Sequence, residues 1–279
     1  FYEVYSQMNQ VFQWINRDEN ISKAVQQFAQ PGCHSIYGLG GSVKSMLIGK
    51  ALCEINKQAL VIVPSKENAA AWTSDLHFMV PHMRILDFPF VDKAVFTTTA
   101  KSIERAARQM EVLGYLRSGH AGIVLATAEE ALQYIIAPQR IDDAAMDIAA
   151  GKEYDRSQFL QHLVDGGYER VDLVERRGHF SVRGDIIDVY AVNYPDPLRL
   201  EFFGDEIESI RFFDAANQKS KETADSVRIL PISLESQPEE ALYTLLDYVG
   251  DGVIIWDEPN RVRDNVKKLL KESDDYKGL

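Results

Sequence analysis

Two short runs with no polar side chain, Ala59–Val63 and Gly122–Ala126, constrain this chain more than any other feature. A strand with no polar face needs cover on both sides, which is the habit of a parallel sheet flanked by helices. The neighbouring sequence supplies that cover. Helix-like stretches follow Ser42 to about Asn56, start again at about Lys66, and run over Lys101–Arg117. Further strands are expected at Cys33–Tyr37 and Arg84–Phe88. The expected class is α/β.

The grammar changes after about Asp143. One helix is expected at Asp155–Val164, ending at Gly166-Gly167, where glycine suits a left-handed cap. Strand-like runs then follow at Tyr168–Arg176, His179–Arg183, Ile186–Ala191, Leu198–Phe203, Glu206–Phe213 and Val227–Leu230. Turn-forming pairs such as Arg177-Gly178 and Gly204-Asp205 separate them. Leu198, Leu200 and Phe202 fall on one side of their strand, with Arg199, Glu201 and Phe203 on the other. This predicts an antiparallel meander with one helix, a small α+β domain. The tail returns to α/β grammar, with a helix near Glu239–Tyr248, a strand at Val253–Trp256, then Asp257-Glu258 and a charged helix. The expected organisation is a parallel-sheet, P-loop-like (degenerate RecA-like) domain over residues 1–143 and 231–279, interrupted by an inserted α+β domain over residues 144–230. The chain opens at Phe1 and is expected to be a piece of something longer.

Charge and cysteine usage narrow the function classes. Thirty Lys and Arg against 42 Asp and Glu give a net charge of -12, which argues against a surface built mainly to coat nucleic acid. Cys33 and Cys53 are the only cysteines, so a disulfide scaffold and a cysteine-based zinc site are excluded. Both are expected to pack as small hydrophobes, and a cytoplasmic location is expected. No apolar run approaches the roughly 18 residues of a membrane span, so no membrane partner is expected. The six histidines are scattered, without a metal-binding spacing, and are expected at the surface or half-buried. No metal, cofactor or catalytic residue is expected.

One motif bears on nucleotide chemistry. Gly38-Leu39-Gly40-Gly41-Ser42-Val43-Lys44-Ser45 resembles a phosphate-binding loop, set between an expected strand and helix. A working loop places glycine just before the lysine, so that backbone N–H groups close around the phosphates. Val43 occupies that position, and a left-handed backbone there would be strained. Asp257, after an apolar strand, has the place of a magnesium-holding acid and is expected to face the same loop. Gly38, Val43, Lys44, Ser45 and Asp257 thus form a degenerate loop rather than a cofactor site, and the chain is not expected to be an enzyme.

The meander carries the more informative pattern. Arg170, Arg176, Arg177, Arg183 and Arg199 alternate with acids such as Glu169, Asp185 and Glu201. That is either a solvated face with cross-strand pairs or, with Phe203 beside Arg199, an interface composition.

Three strings, Tyr168–Asp172, Val182–Val189 and Leu198–Glu208, resemble the UvrB family, and more closely the UvrB-homology module of bacterial transcription-repair coupling factors (the Mfd family). The resemblance implies docking onto UvrA, the damage-recognition ATPase of nucleotide excision repair, in its transcription-coupled form. It assigns the UvrA contacts to Arg183, Arg199 and Phe203, with Arg170 and Glu201 as weaker candidates. RNA polymerase and DNA would be engaged only through domains outside this stretch. UvrB has an arginine two residues before Arg183, where this chain has Ser181. The tyrosine-rich hairpin with which UvrB grips DNA has no counterpart in Asp87–Phe96. The alternatives are a UvrB-like ATP-dependent DNA-repair helicase fragment that binds nucleotide, and a nucleic-acid-binding scaffold.

Overall fold

The computed structural model describes residues 19–28, 30–91, 100–234 and 243–276. Within them the chain forms two compact units. The first comprises the described residues up to Asp87, Gly119–Ala131, and those from Val249 onward. Numbering strands along the whole chain, it holds β1 (Gln58–Val63), β2 (Arg84–Asp87), β3 (Gly122–Thr127) and β12 (Val253–Trp256). All pair in parallel, in the order β12-β1-β3-β2. All six residues of β1 and the first five of β3 are buried, which is why these runs are apolar throughout.

The helices of this unit are α1 (Glu19–Phe28), α2 (Ser42–Ile55), α3 (Lys66–Met79), the short α5 (Ala128–Leu132) as far as Ala131, and α8 (Pro259–Tyr276). Asn56 ends α2 in the left-handed conformation, φ 49°. Ser65 caps α3, its hydroxyl accepting from the Asn68 N–H at 3.3 Å. Ile48, Leu52, Trp72 and Leu76 from these helices pack on Val61 and Leu125 of the sheet.

The expected strand at Cys33–Tyr37 does not form. Its apolar residues are interrupted by His34 and Ser35, and the central places beside β1 are taken by β3 and β12. Tyr37 is 88% exposed. Cys33 and Cys53 are exposed rather than packed: Cys33 lies in the irregular segment before α2, and on α2 the inward positions beside Cys53 are filled by Ala51 and Leu52.

The second unit comprises the described residues of Phe88–Ser118 and Leu132–Tyr248. It contains α4 (Ala100–Ser118), α6 (Pro138–Ala144) and α7 (Arg156–Asp165), the last capped by Asp155, which accepts from the Gln158 N–H at 2.9 Å. Its main sheet runs β10-β9-β8-β7-β6-β5, built from β5 (Glu169–Arg170), β6 (His179–Arg183), β7 (Ile186–Val189), β8 (Leu198–Phe203), β9 (Glu206–Phe213) and β10 (Ser220–Thr223). From β6 to β9 it is the expected antiparallel meander, and β10 extends it by a strand that the sequence pattern did not mark.

Three further details differ from expectation. Only Glu169–Arg170 of the Tyr168–Arg176 run pairs, and it does so parallel to β6, because Val171–Gly178 carries the chain back to the start of β5 before β6 begins. The run near Val227 becomes β11 (Ser226–Ile229), which leaves the meander to pair with β4 (Met146–Ala149), a strand too short to stand out in the sequence. The left-handed glycine expected at Gly166-Gly167 after α7 is Gly167, φ 86°, with Gly166 at φ -74°. At Glu239–Tyr248 a 3-10 turn spans only Leu245–Tyr248, and 239–242 lie outside the described residues.

His179, expected at the surface or half-buried, is only 8% exposed at the start of β6. Arg176 Nε–H donates to its Nε2 at 2.7 Å. Burial, then the neighbouring Arg176 charge, hold the imidazole below its ordinary range, against the opposing pull of Glu169 and Glu175. The unfolded chain therefore binds this proton more readily than the folded one. The contribution is present above the ordinary histidine range and is lost as pH falls through the depressed folded value. Denaturant unfolding is expected to show stability falling as pH drops from 7 to 5, with a shallower fall in His179→Gln. Parallel pH profiles would refute the assignment.

Candidate partner-binding face

The phosphate-loop residues meet within the first unit. Gly38 and Gly41 take φ of 82° and 55°, turning the chain into α2. Val43 lies in the first helical turn, 43% exposed and outside the left-handed region, so the expected backbone strain is absent. The crowding side chain remains. Lys44 Nζ sits 2.7 and 2.9 Å from the two carboxylate oxygens of Asp257 and 3.4 Å from Glu258 Oε1. Parallel pairing of β12 with β1, continued by the Asp257 N–H to Ile62 O bond of 2.9 Å, brings Asp257 to the loop, as expected from its place after a strand.

Two residues of this cluster escaped the sequence reading. Trp72 Nε1–H donates to Asp257 at 2.9 Å, and Asp75 accepts from Ser45 at 2.6 Å and from Ser42 at 3.1 Å. Neither stands out in a helix of mixed composition. The groups that would hold a phosphate and its metal are thus bonded to the protein itself. Among the described residues no group of three or more His, Cys, Asp or Glu is placed to hold a metal ion.

The second cluster lies on the meander. Cross-strand register aligns Ser181 with Asp188, Asp188 with Arg199, and Arg199 with Arg211. Asp188 is 1% exposed and is the centre of the row. Arg199 grips it with two bonds, Nε–H to Oδ1 at 2.7 Å and Nη2–H to Oδ2 at 2.9 Å. Arg183 Nη2–H reaches the same Oδ2 at 2.5 Å. The Arg199 guanidinium also lies 4.4 Å from the Phe213 ring centroid and donates to Gln218 at 3.2 Å. Its bond to Asp188 stabilises the charged form and raises its pKa further.

The other candidates are placed as follows. Glu201 accepts from the Ser209 hydroxyl at 2.7 Å and pairs with Arg211. The Ser209 bond, ahead of the Arg211 charge, holds its carboxyl below the usual range. Glu201 is therefore engaged within the sheet. After it the register shifts: Glu201 opposes Ser209 but Phe202 opposes Ile207, leaving Glu208 as an extra residue on β9. Such a bulge re-aims the strand end. Phe202 is buried and Phe203 stands 74% exposed. Arg170, at the sheet edge, lines a groove of about 680 Å³ with Val171, Asp172, Val182 and Arg183. The side chain of Arg183 is 47% exposed and that of Arg199 15%. Ser181 is buried at 1%, its hydroxyl without a hydrogen-bond partner.

Sequence reasoning missed Asp188, Phe213 and Gln218. The signal for Asp188 was available: a lone carboxylate inside Ile186-Ile187-Asp188-Val189 sits on a covered strand and requires a cationic partner. Of the DNA-gripping comparison, residues 92–96 of Asp87–Phe96 lie outside the described residues. No helix among the described residues is long and apolar enough to cross a membrane.

Comparison with known proteins bears on this face directly. Residues 146–234 match the UvrB interaction domain family. The transcription-repair-coupling factor of Bacillus subtilis (strain 168) is 33% identical over 205 residues, covering 73% of this chain and 17% of that protein. The coupling factor of Myxococcus xanthus is 30% identical, over 70% of this chain and 17% of its own length. The UvrABC system protein B of Thermosipho africanus is 29% identical, over 76% of this chain and 34% of its own length. The chain thus spans about a fifth of the coupling factors it matches and a third of the UvrB protein. The resemblance to the UvrB-homology module of transcription-repair coupling factors extends over about three-quarters of the chain, and the stretch holding Arg183, Asp188, Arg199 and Phe203 is the one that matches the UvrB interaction domain.

Proposed function

We propose that this chain is a UvrA-recruiting protein–protein interaction module of a transcription-repair coupling factor, acting in transcription-coupled nucleotide excision repair of DNA in the cytoplasm. The observation that carries the reading is the shared sheet face of Arg183, Arg199 and Phe203 inside the matched interaction domain. An exposed aromatic beside anchored arginines has the composition of an interface hot spot. Arg170 extends the surface along its groove, and Glu201 supports it from within the sheet. Residues 144–230 form the recruiting domain. The parallel-sheet unit forms a degenerate P-loop (RecA-like) scaffold that does not turn over nucleotide, a reading supported by Val43 and by the internal bonds of Lys44 and Ser45. RNA polymerase and DNA are contacted by other parts of the coupling factor.

The test is a calorimetric titration of the chain against UvrA, with Arg183→Ala/Arg199→Ala alongside. Wild-type binding that is lost in the double mutant, with unchanged far-UV circular dichroism, is the expected result. Equal binding by both would move the interface elsewhere. No binding by the wild type would remove the recruiting function.

A further inference from the structure

We propose that Asp188 is a positioning residue for partner binding: it holds the Arg183 and Arg199 guanidinium groups in place on the sheet face before the partner arrives. This rests on the UvrA-binding reading above. Asp188 is 1% exposed, so a docked protein cannot touch it, and any effect on binding passes through the arginines. Its strand neighbours Ile187 and Val189 are fully buried apolar residues. A hydrophobic side chain of similar size would avoid the desolvation that a buried carboxylate suffers, and replacing such pairs is often neutral or stabilising. The carboxylate is therefore not there for stability alone.

The geometry points to what it does instead. Three N–H bonds from two arginines converge on its two oxygens. Arg199 is further held by the Phe213 ring beneath it and Gln218 beside it. Arginine has many rotamers, and an unanchored one would have to be ordered on association, which weakens binding. Asp188 removes that cost in the free protein. It leaves the other donors of Arg183, about half-exposed, available to a partner. One carboxylate serving two guanidiniums also leaves one positive charge uncompensated within this trio.

The experiment is a double-mutant cycle in UvrA binding. Asp188→Asn keeps the shape and removes the charge. It is expected to weaken binding by about 10–100-fold. The same change in an Arg183→Ala background is expected to cost several-fold less, because one of the groups it acts through is gone. A purely structural role predicts equal losses in both backgrounds. A folded Asp188→Asn that binds as well as wild type, or strict additivity, overturns the positioning role while leaving UvrA recruitment intact. A wild type that does not bind overturns the recruitment reading itself. If Asp188→Asn does not fold, Asp188→Asn/Arg199→Gln removes the buried pair as a unit and is compared with Arg199→Gln. Further weakening of several-fold supports positioning of Arg183, and equal affinity overturns it.

Discussion

Lys44→Ala is expected to destabilise the parallel-sheet unit by about 3 kcal/mol, because it leaves a buried carboxylate without its counter-charge. The Asp257 side chain is 4% exposed and that of Lys44 20%, so the pair is shielded from solvent screening. The Trp72 Nε1–H bond to Asp257 survives the substitution and keeps the loss near the lower end of the roughly 3–5 kcal/mol that breaking a buried pair costs. Urea unfolding monitored at tryptophan reads the change as a lower midpoint with an unchanged slope. Lys44→Met/Asp257→Asn, which removes both charges, is expected to recover most of the loss. An unchanged midpoint in Lys44→Ala would mean that the pair is solvated. A lysine occupied in this way also has to break its own ion pair before meeting a phosphate. Millimolar Mg-ATP is therefore expected to give no binding heat. A saturable heat dependent on Lys44 would favour the UvrB-like helicase-fragment reading instead.

Phe203→Ala and Arg199→Ala are both expected to weaken UvrA binding and to differ in stability. Phe203 is 74% exposed, so its removal is expected to change unfolding free energy by no more than about 0.5 kcal/mol. At an interface centre the same truncation costs about 2 kcal/mol, or about 30-fold in affinity. Arg199→Ala is expected to cost about 2–5 kcal/mol in binding, mostly as faster dissociation. It also strips Asp188 of two of its three bonds, leaving only Arg183. That is expected to lower stability by about 2–3 kcal/mol, less than complete removal of its partners. Surface plasmon resonance and thermal unfolding on the same two variants separate these effects. Undiminished binding by Phe203→Ala would place the aromatic outside the contact.

Much of the fold was legible because burial leaves a composition behind. Ala59–Val63 and Gly122–Ala126 could only be covered strands, and they are the centre of the parallel sheet. The alternation of Leu198–Phe203 fixed which side chains face out, and the observed burial follows it. Cys33–Tyr37 misled because its apolar residues are interrupted by His34 and Ser35, and the central position beside β1 that it was expected to share is taken by β3 and β12. β4 was invisible for a similar reason. Four residues of mixed polarity become a strand only when β11, some eighty residues later, supplies the hydrogen bonds.

The candidate sites divide along the same line. Residue type and strand parity, both local, determined that Arg199, Glu201 and Phe203 share a face and that Lys44 and Asp257 are the reactive members of a loop and a strand end. Distance is not local. The register between β7 and β8 placed Asp188 under Arg199, the bulge at Glu201/Phe202 set the aim of Phe203, and the pairing of β12 with β1 closed Asp257 onto Lys44 across 213 residues of sequence. The sequence by itself determined which chemical groups the chain carries and which way its strands turn them. Only the tertiary structure decided which of those groups neutralise one another and which remain open to a partner, because that depends on pairings between segments whose separation along the chain the local pattern does not encode.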